Sequence, residues 1–259
     1  AAVAGAYLED TEPHRLADHV LVDEGQDLSP THWQMLRATA AEGADDLFIA
    51  EDSHQRIDGS RTVLGKYGIK IVGRSQRLTL NYRTTAQNLR YAMTVLDGAE
   101  YVDLEEQPEA AGYRSARSGP APQHVTNHSL TDELDSIARQ VQHWTESGTP
   151  PGTIAVLVHD KFQCERVVNG LAERKVQARA VDRERPPTDR VLVMTMHRAK
   201  GMEFSKVVLT GVGARSSAER ARLEQLGESE RFDAELRDRS LLYVAATRAR
   251  DELAVLQRQ

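Results

Sequence analysis

Apolar residues along the chain gather in short, β-branched runs that alternate with stretches where they recur every three or four positions. Short runs bounded by polar and turn residues predict buried strands, and the intervening period predicts helices. The expected strands are HVLVDE (19–24), DLFIAED (46–52), RLTLNYR (77–83), TIAVLVHD (153–160), RVLVMTMH (190–197), KVVLTGV (206–212) and ELAVLQ (252–257). Between them Leu89, Ala92, Met93 and Leu96 repeat at helical spacing, as do Leu134, Ile137, Ala138 and Val141, and then Cys164, Val167, Val168 and Leu171. Each set reads as a helix laid over a sheet. Ser129, three residues before Asp132, predicts a capping box opening the second of these helices. Strands alternating with helices argue for an α/β fold of parallel sheets with crossover helices.

The pattern breaks between about 98 and 123, where an acidic run passes into GYRSARSGPAPQ. This reads as an exposed connection, with a domain boundary just before it, near a helix that begins at Thr84 or Thr85; the expected domains are 1–87 and 88–259. PPG at 150–152 predicts a turn, and the charged segment 216–239 reads as a largely helical, solvent-exposed insertion.

A chain of 259 residues, 40% hydrophobic and 28% charged, has the length and composition of a soluble globular protein with one large domain or two of ordinary size. A single cysteine, Cys164, excludes an internal disulfide framework and fits a reducing cytoplasm. No apolar run approaches the ~20 residues needed to cross a bilayer, and AAVAGAY at the start lacks the basic flank of a secretory signal. The first residue is Ala, which fits a piece of a longer protein or a trimmed one. Net charge is -6, so global electrostatics do not announce a nucleic-acid binder. The distribution says more: eight Lys/Arg and one acid lie between Arg56 and Arg90, a stretch that reads either as solvated surface or as a phosphate-contacting face.

The chemistry concentrates at strand ends. HVLVDEGQD (19–27) thrusts Asp23 and Glu24 out past a buried run, a common way to hold Mg²⁺ and orient a water against a nucleotide γ-phosphate. Paired acids there could equally cap the next helix. The phosphate loop that such acids serve, GxxxxGK followed by Ser or Thr, is not in the sequence; GSRTVLGKY (59–67) has one residue too many between its glycines and Tyr67 in place of the hydroxyl. Further strand ends carry Gln55 in AEDSHQRI (50–57) and Asn81, Tyr82 and Arg83 in LTLNYRTT (78–85), and later come VMTMHRAKGMEF (193–204) and LLYVAATRARDEL (241–253). A triphosphate site needs a metal ligand, an amide to position water and several guanidinium groups, and those residue types are all present.

In this order the segments resemble the superfamily 1 DNA helicases of the UvrD, PcrA and Rep type, in which two RecA-like domains clamp ATP and step along single-stranded DNA. DEGQD resembles motif II, the Gln55 hook motif III, NYR motif IV, Met194 to Phe204 motif V, and YVAATRAR motif VI; the similarity spans residues 19–253. The resemblance implies part of a first RecA-like domain followed by a second, with the missing phosphate loop lying upstream in an absent N-terminal part of the same chain. It implies that Asp23 holds Mg²⁺, that Glu24 is the general base, and that Gln55 senses the γ-phosphate with Gln26 and Asp27 buttressing it. Tyr82 would stack on adenine, Arg83 and Arg248 would approach the γ-phosphate, and Glu203 would contact the ribose or neighbouring phosphates. Thr195 and His197 would lie near the DNA backbone. The residues themselves leave open that Tyr82 is core, that His197 is structural, and that Arg248 pairs with Glu252 on a helix surface.

Two departures accompany the resemblance. Where the family continues motif III with an aromatic pair around a Gly, this chain has Asp58, Gly59 and Ser60. Between Arg83 and His197 there is also no room for the large accessory insertion of the full helicases. The expectation is the C-terminal motor portion of an ATP-dependent DNA helicase or translocase, using ATP and Mg²⁺ on single-stranded DNA or a duplex junction, away from membranes; the fragment alone would turn over ATP negligibly. Arg248→Ala in a full-length chain is expected to abolish hydrolysis and spare the fold. The rival is a helicase-like, non-catalytic binding module.

Overall fold

The computed structural model describes residues 16–57, 62–99, 101, 103–104, 112–182, 186–213, 221 and 223–258. They form two compact units, one holding 1–78 and 98–111, the other 79–97 and 112–259.

In the first unit β1 (Val20–Val22) is followed by α1 (Pro30–Thr39) and then by β2 (Leu47–Ile49), which pairs parallel to β1. Ser29 caps α1 by accepting from the His32 backbone N–H, and Pro30 takes the first helical position, where its missing N–H costs nothing. Trp33 is wholly buried and packs with Val22, Leu64, Ile69 and Leu104 into a small core. The other face of the two-stranded sheet is bare: the cross-strand partners Leu21 and Phe48 are 79% and 67% exposed.

The second unit opens with β3 (Leu80–Thr85), which runs into α2 (Ala86–Leu96) through the cap Thr85, and β4 (Arg114–Arg117) pairs parallel to β3. There follow β5 (Gln123–Asn127), α3 (Leu130–Glu146), β6 (Ile154–Val158), α4 (Lys161–Glu173), β7 (Ala178–Ala180), β8 (Val191–Thr195), β9 (Phe204–Val212), α5 (Glu228–Thr247) and β10 (Ala249–Arg258). Their strands form one sheet of order β5-β10-β9-β6-β8-β7, parallel at every pairing. β6 is buried at all five positions, as a parallel strand covered on both faces must be. Ile137, Val141 and Trp144 of α3 and Val167 and Leu171 of α4 close one face over Val156, Val158 and Val208.

The α/β class and its parallel sheets are as the sequence predicts, and each of the seven expected strands overlaps an observed one. Four expectations change. The boundary placed at 87/88 falls inside α2; the compact units divide before Thr79, because Thr84 and Asn88 bond to the Ala249 carbonyl at 2.5 and 3.3 Å and tie β3 and α2 to the second unit. The stretch after 98 is not simply an exposed connection: Tyr101 and Leu104 are buried in the first unit, and β4 forms beyond. The charged segment expected as an insertion is, from Glu228 onward, the leading half of α5, one continuous helix whose last turns are buried; residues 214–220 lie outside the described set. At α3 the Ser129 hydroxyl accepts from the Asp132 N–H at 3.0 Å, which is the forward half of the expected box.

Candidate nucleotide and nucleic-acid site

In the first unit the acids follow β1 through a short 3-10 turn, Gly25–Asp27. Gly25 sits where the chain passes close under β2: its N–H bonds the Ala50 carbonyl at 2.9 Å, and an added Cβ would meet Ile49 at 3.0 Å. Glu24 adopts a left-handed backbone, φ 53°. A non-glycine residue there is uncommon and strained, and such residues concentrate at functional sites. Asp23 is exposed and its Oδ1 accepts from the Glu24 N–H at 2.9 Å.

Gln26 is 2% exposed and joins the two strand ends. Its amide N–H donates to the Glu24 carboxylate at 2.5 Å, and its carbonyl accepts from the Asp52 backbone N–H at 3.0 Å. Asp52 in turn accepts from the Gln55 side chain at 2.7 Å and from the His54 backbone at 3.0 Å. Burial pushes the Asp52 carboxyl up, but the hydrogen bonds from His54 and Gln55, with the neighbouring His54 ring, outweigh it and hold the group below the ordinary carboxylate range. Glu24, Gln26, Asp52 and Gln55 thus form one hydrogen-bonded chain. Asp52 was not singled out in the sequence; the only signal was a second acid at the end of its own strand.

In the second unit the sequence candidates divide between opposite edges of the six-stranded sheet. At the amino edge Arg83 Nε lies 3.3 Å from the Glu203 carboxylate, just before β9. Arg117 donates to the Arg83 carbonyl at 3.0 Å and to Asp251 at 2.6 Å, and Arg250 reaches Asp251 at 2.9 Å and Ser205 at 3.0 Å. Arg117 lay outside the motifs that drew attention in the sequence, and Arg250 and Asp251, within the quoted segment 241–253, were given no role. Tyr82 is 71% exposed, so it is not core.

Arg248 ends α5 and is 2% exposed. Its guanidinium donates to the Val244 carbonyl at 3.0 Å, the Met202 carbonyl at 3.3 Å and the Thr247 hydroxyl at 3.3 Å. Glu252, the helix-surface partner weighed for it, instead accepts from Trp144 at 2.8 Å and from Lys206 at 2.7 Å. A buried guanidinium that satisfies two carbonyls contributes to folding, so Arg248→Ala is expected to lower stability as well.

At the carboxyl edge Thr195 closes β8, its hydroxyl accepting from the Arg198 N–H at 3.2 Å, and His197 is exposed. Residues 196–203 run from this edge back to Glu203 at the other. Among the described residues no three acidic, His or Cys side chains converge as a metal cage. Asp58, Gly59 and Ser60 of the altered motif III lie outside the described residues. No helix among the described residues is long and apolar enough to cross a membrane.

Residues 182–259 match the UvrD-like helicase C-terminal domain, a span that includes Thr195, His197, Glu203 and Arg248. The ATP-dependent DNA helicase UvrD2 of Mycobacterium tuberculosis is 27% identical over 150 residues, covering 56% of this chain and 21% of that protein. A protein of Mycoplasma pneumoniae named "Probable DNA helicase" is 26% identical over 241 residues, 91% of this chain and 42% of its own length. A crystal structure described as the C-terminal domain of a possible DNA helicase from Lactobacillus plantarum aligns at 20% identity and a TM-score of 0.49, covering 68% of this chain and 87% of that one. The chain spans less than half the length of the curated relatives named here. The resemblance to UvrD-type helicases is borne out over the C-terminal portion of the chain.

Proposed function

We propose that this chain is the C-terminal motor portion of an ATP-dependent DNA helicase or translocase that couples ATP hydrolysis to movement on single-stranded DNA. The observation that carries the reading is the hydrogen-bonded chain from Glu24 through Gln26 and Asp52 to Gln55. It links the residue suited to act as base with the residue suited to sense the γ-phosphate, and it does so through a strained Glu24 backbone that a merely structural turn does not need.

Asp23 would ligate the Mg²⁺ that arrives with ATP, and that ion would neutralise charge on the phosphate oxygens. Glu24 would take the proton of the attacking water, its carboxylate aimed by Gln26. Tyr82, exposed beside Arg83, offers a face for adenine. Glu203 would receive the ribose, releasing Arg83 toward phosphate. The segment 196–203, with Thr195 and His197 at one end and Glu203 at the other, would pass the state of the nucleotide to the DNA track. The bare Leu21–Phe48 face supports the view that the first unit belongs to a larger RecA-like domain, since parallel sheets are ordinarily covered on both sides. Without that remainder the fragment would hydrolyse ATP negligibly.

The burial of Arg248 favours a second reading, a helicase-like module that binds but does not hydrolyse. Single-strand-stimulated ATPase of the full-length chain separates the two. Glu24→Gln, which keeps the Gln26 contact, should reduce turnover roughly 10²- to 10⁴-fold with DNA binding unchanged. No stimulated turnover in the unsubstituted chain would leave the binding module standing.

A further inference from the structure

Phe162 is the second residue of α4 and is 86% exposed, more than any other large apolar side chain among the described residues. Isolated apolar groups on a surface need no explanation. This one is distinguished by its position. The Met196 N–H donates to the Val158 carbonyl at 2.8 Å, so the end of β6 is bonded to the segment that bears Thr195 and His197. The chain reaches Phe162 four residues later, still at the carboxyl edge. Its backbone is fixed there: Asp160 caps α4 by accepting from the Gln163 N–H at 2.9 Å, and the Gln163 side chain accepts from the His159 N–H at 3.3 Å. Lys161 and Arg166 are exposed on the same turns, with Lys161 held 3.0 Å from Asp182 in a solvent-facing pair.

We infer that Phe162 is a nucleobase-stacking position through which the carboxyl edge grips single-stranded DNA. The inference rests on the reading of that edge as the DNA track. A ring on a rigid helix start offers a π-face to any base.

The test uses the full-length chain with an oligo-dT strand and an abasic strand of equal length. Phe162→Ala should weaken oligo-dT binding roughly five- to hundredfold. Abasic binding and the dependence on salt should not change. Phe162→Trp should retain affinity, and its added indole fluorescence should be quenched by oligo-dT. Equal binding of oligo-dT by F162A and the unsubstituted chain, while Thr195→Ala weakens it, overturns the stacking role and leaves the DNA track intact. An equal loss on both strands overturns it as well, since stacking requires a base. If the unsubstituted chain binds neither strand, the reading of the edge fails and the stacking role with it.

Discussion

The two edges of the six-stranded sheet are made of similar residues and are finished in opposite ways. At the amino edge arginines and acids are already engaged: Arg83 with Glu203, Arg117 and Arg250 with Asp251, and Arg248 folded onto backbone carbonyls. At the carboxyl edge His197 and Phe162 stand in solvent, and Lys161 has only a solvent-facing pair with Asp182. A site that closes on a compact polyanion benefits from guanidinium groups pre-positioned by counter-acids, because little reorganisation remains when charge develops. A track for a polymer that must slide benefits from open contacts spread along a surface. A strand of five residues separates the edges by roughly 17 Å, and the segment 196–203 joins them.

The largest effect is expected at Arg248. In the full-length chain Arg248→Ala should lower ATP hydrolysis roughly 10³-fold or more. It should also lower the thermal midpoint, because two carbonyls lose a buried donor at about 1–3 kcal/mol each. Steady-state ATPase and thermal melting measured together check both parts; full turnover with only the melting shift would assign Arg248 a purely structural role. An intermediate effect is the loss of oligo-dT affinity in F162A, measured against the unsubstituted chain on oligo-dT and abasic strands. The smallest belongs to Asp251. Burial pushes its carboxyl up, but the bonds from Arg250 and Arg117 outweigh it and hold the group below its ordinary value of 3.8. A depressed pKa contributes stability that is present above the ordinary value and lost as pH falls through the lower folded one. The melting difference between the unsubstituted chain and Asp251→Asn should therefore be full at neutral pH, where partly exposed pairs give at most ~1 kcal/mol, and should close below about pH 4. A difference that persists undiminished at lower pH would show that the carboxylate charge is not its source.

The long buried strands were legible because β-branched runs such as IAVLV have no other comfortable place. β4, β5 and β7 were not, since RSAR, QHVTN and ARA carry too few apolar residues to mark a sheet. α1 was missed for a similar reason: Trp33 is its one buried residue. The boundary went astray because an amphipathic helix such as α2 can cover either of two sheets, and only the bonds of Thr84 and Asn88 to Ala249 decide which. Candidate site residues were chosen by type and order at strand ends. What the sequence could not carry was their state: Arg248, expected to approach a phosphate, is buried on backbone carbonyls, while Asp52, not singled out, is at the centre of a hydrogen-bonded chain.

Under the proposed function Asp23 ligates a nucleotide-borne Mg²⁺ and Arg248 leaves its backbone carbonyls for a phosphate. The most direct measurement is a crystal structure of the full-length chain with Mg²⁺ and a non-hydrolysable ATP analogue. We expect Asp23 on the metal and the Arg248 guanidinium on the γ-phosphate, released from the Val244 and Met202 carbonyls. An occupied nucleotide with Arg248 still bonded to those carbonyls and remote from the phosphates would contradict it.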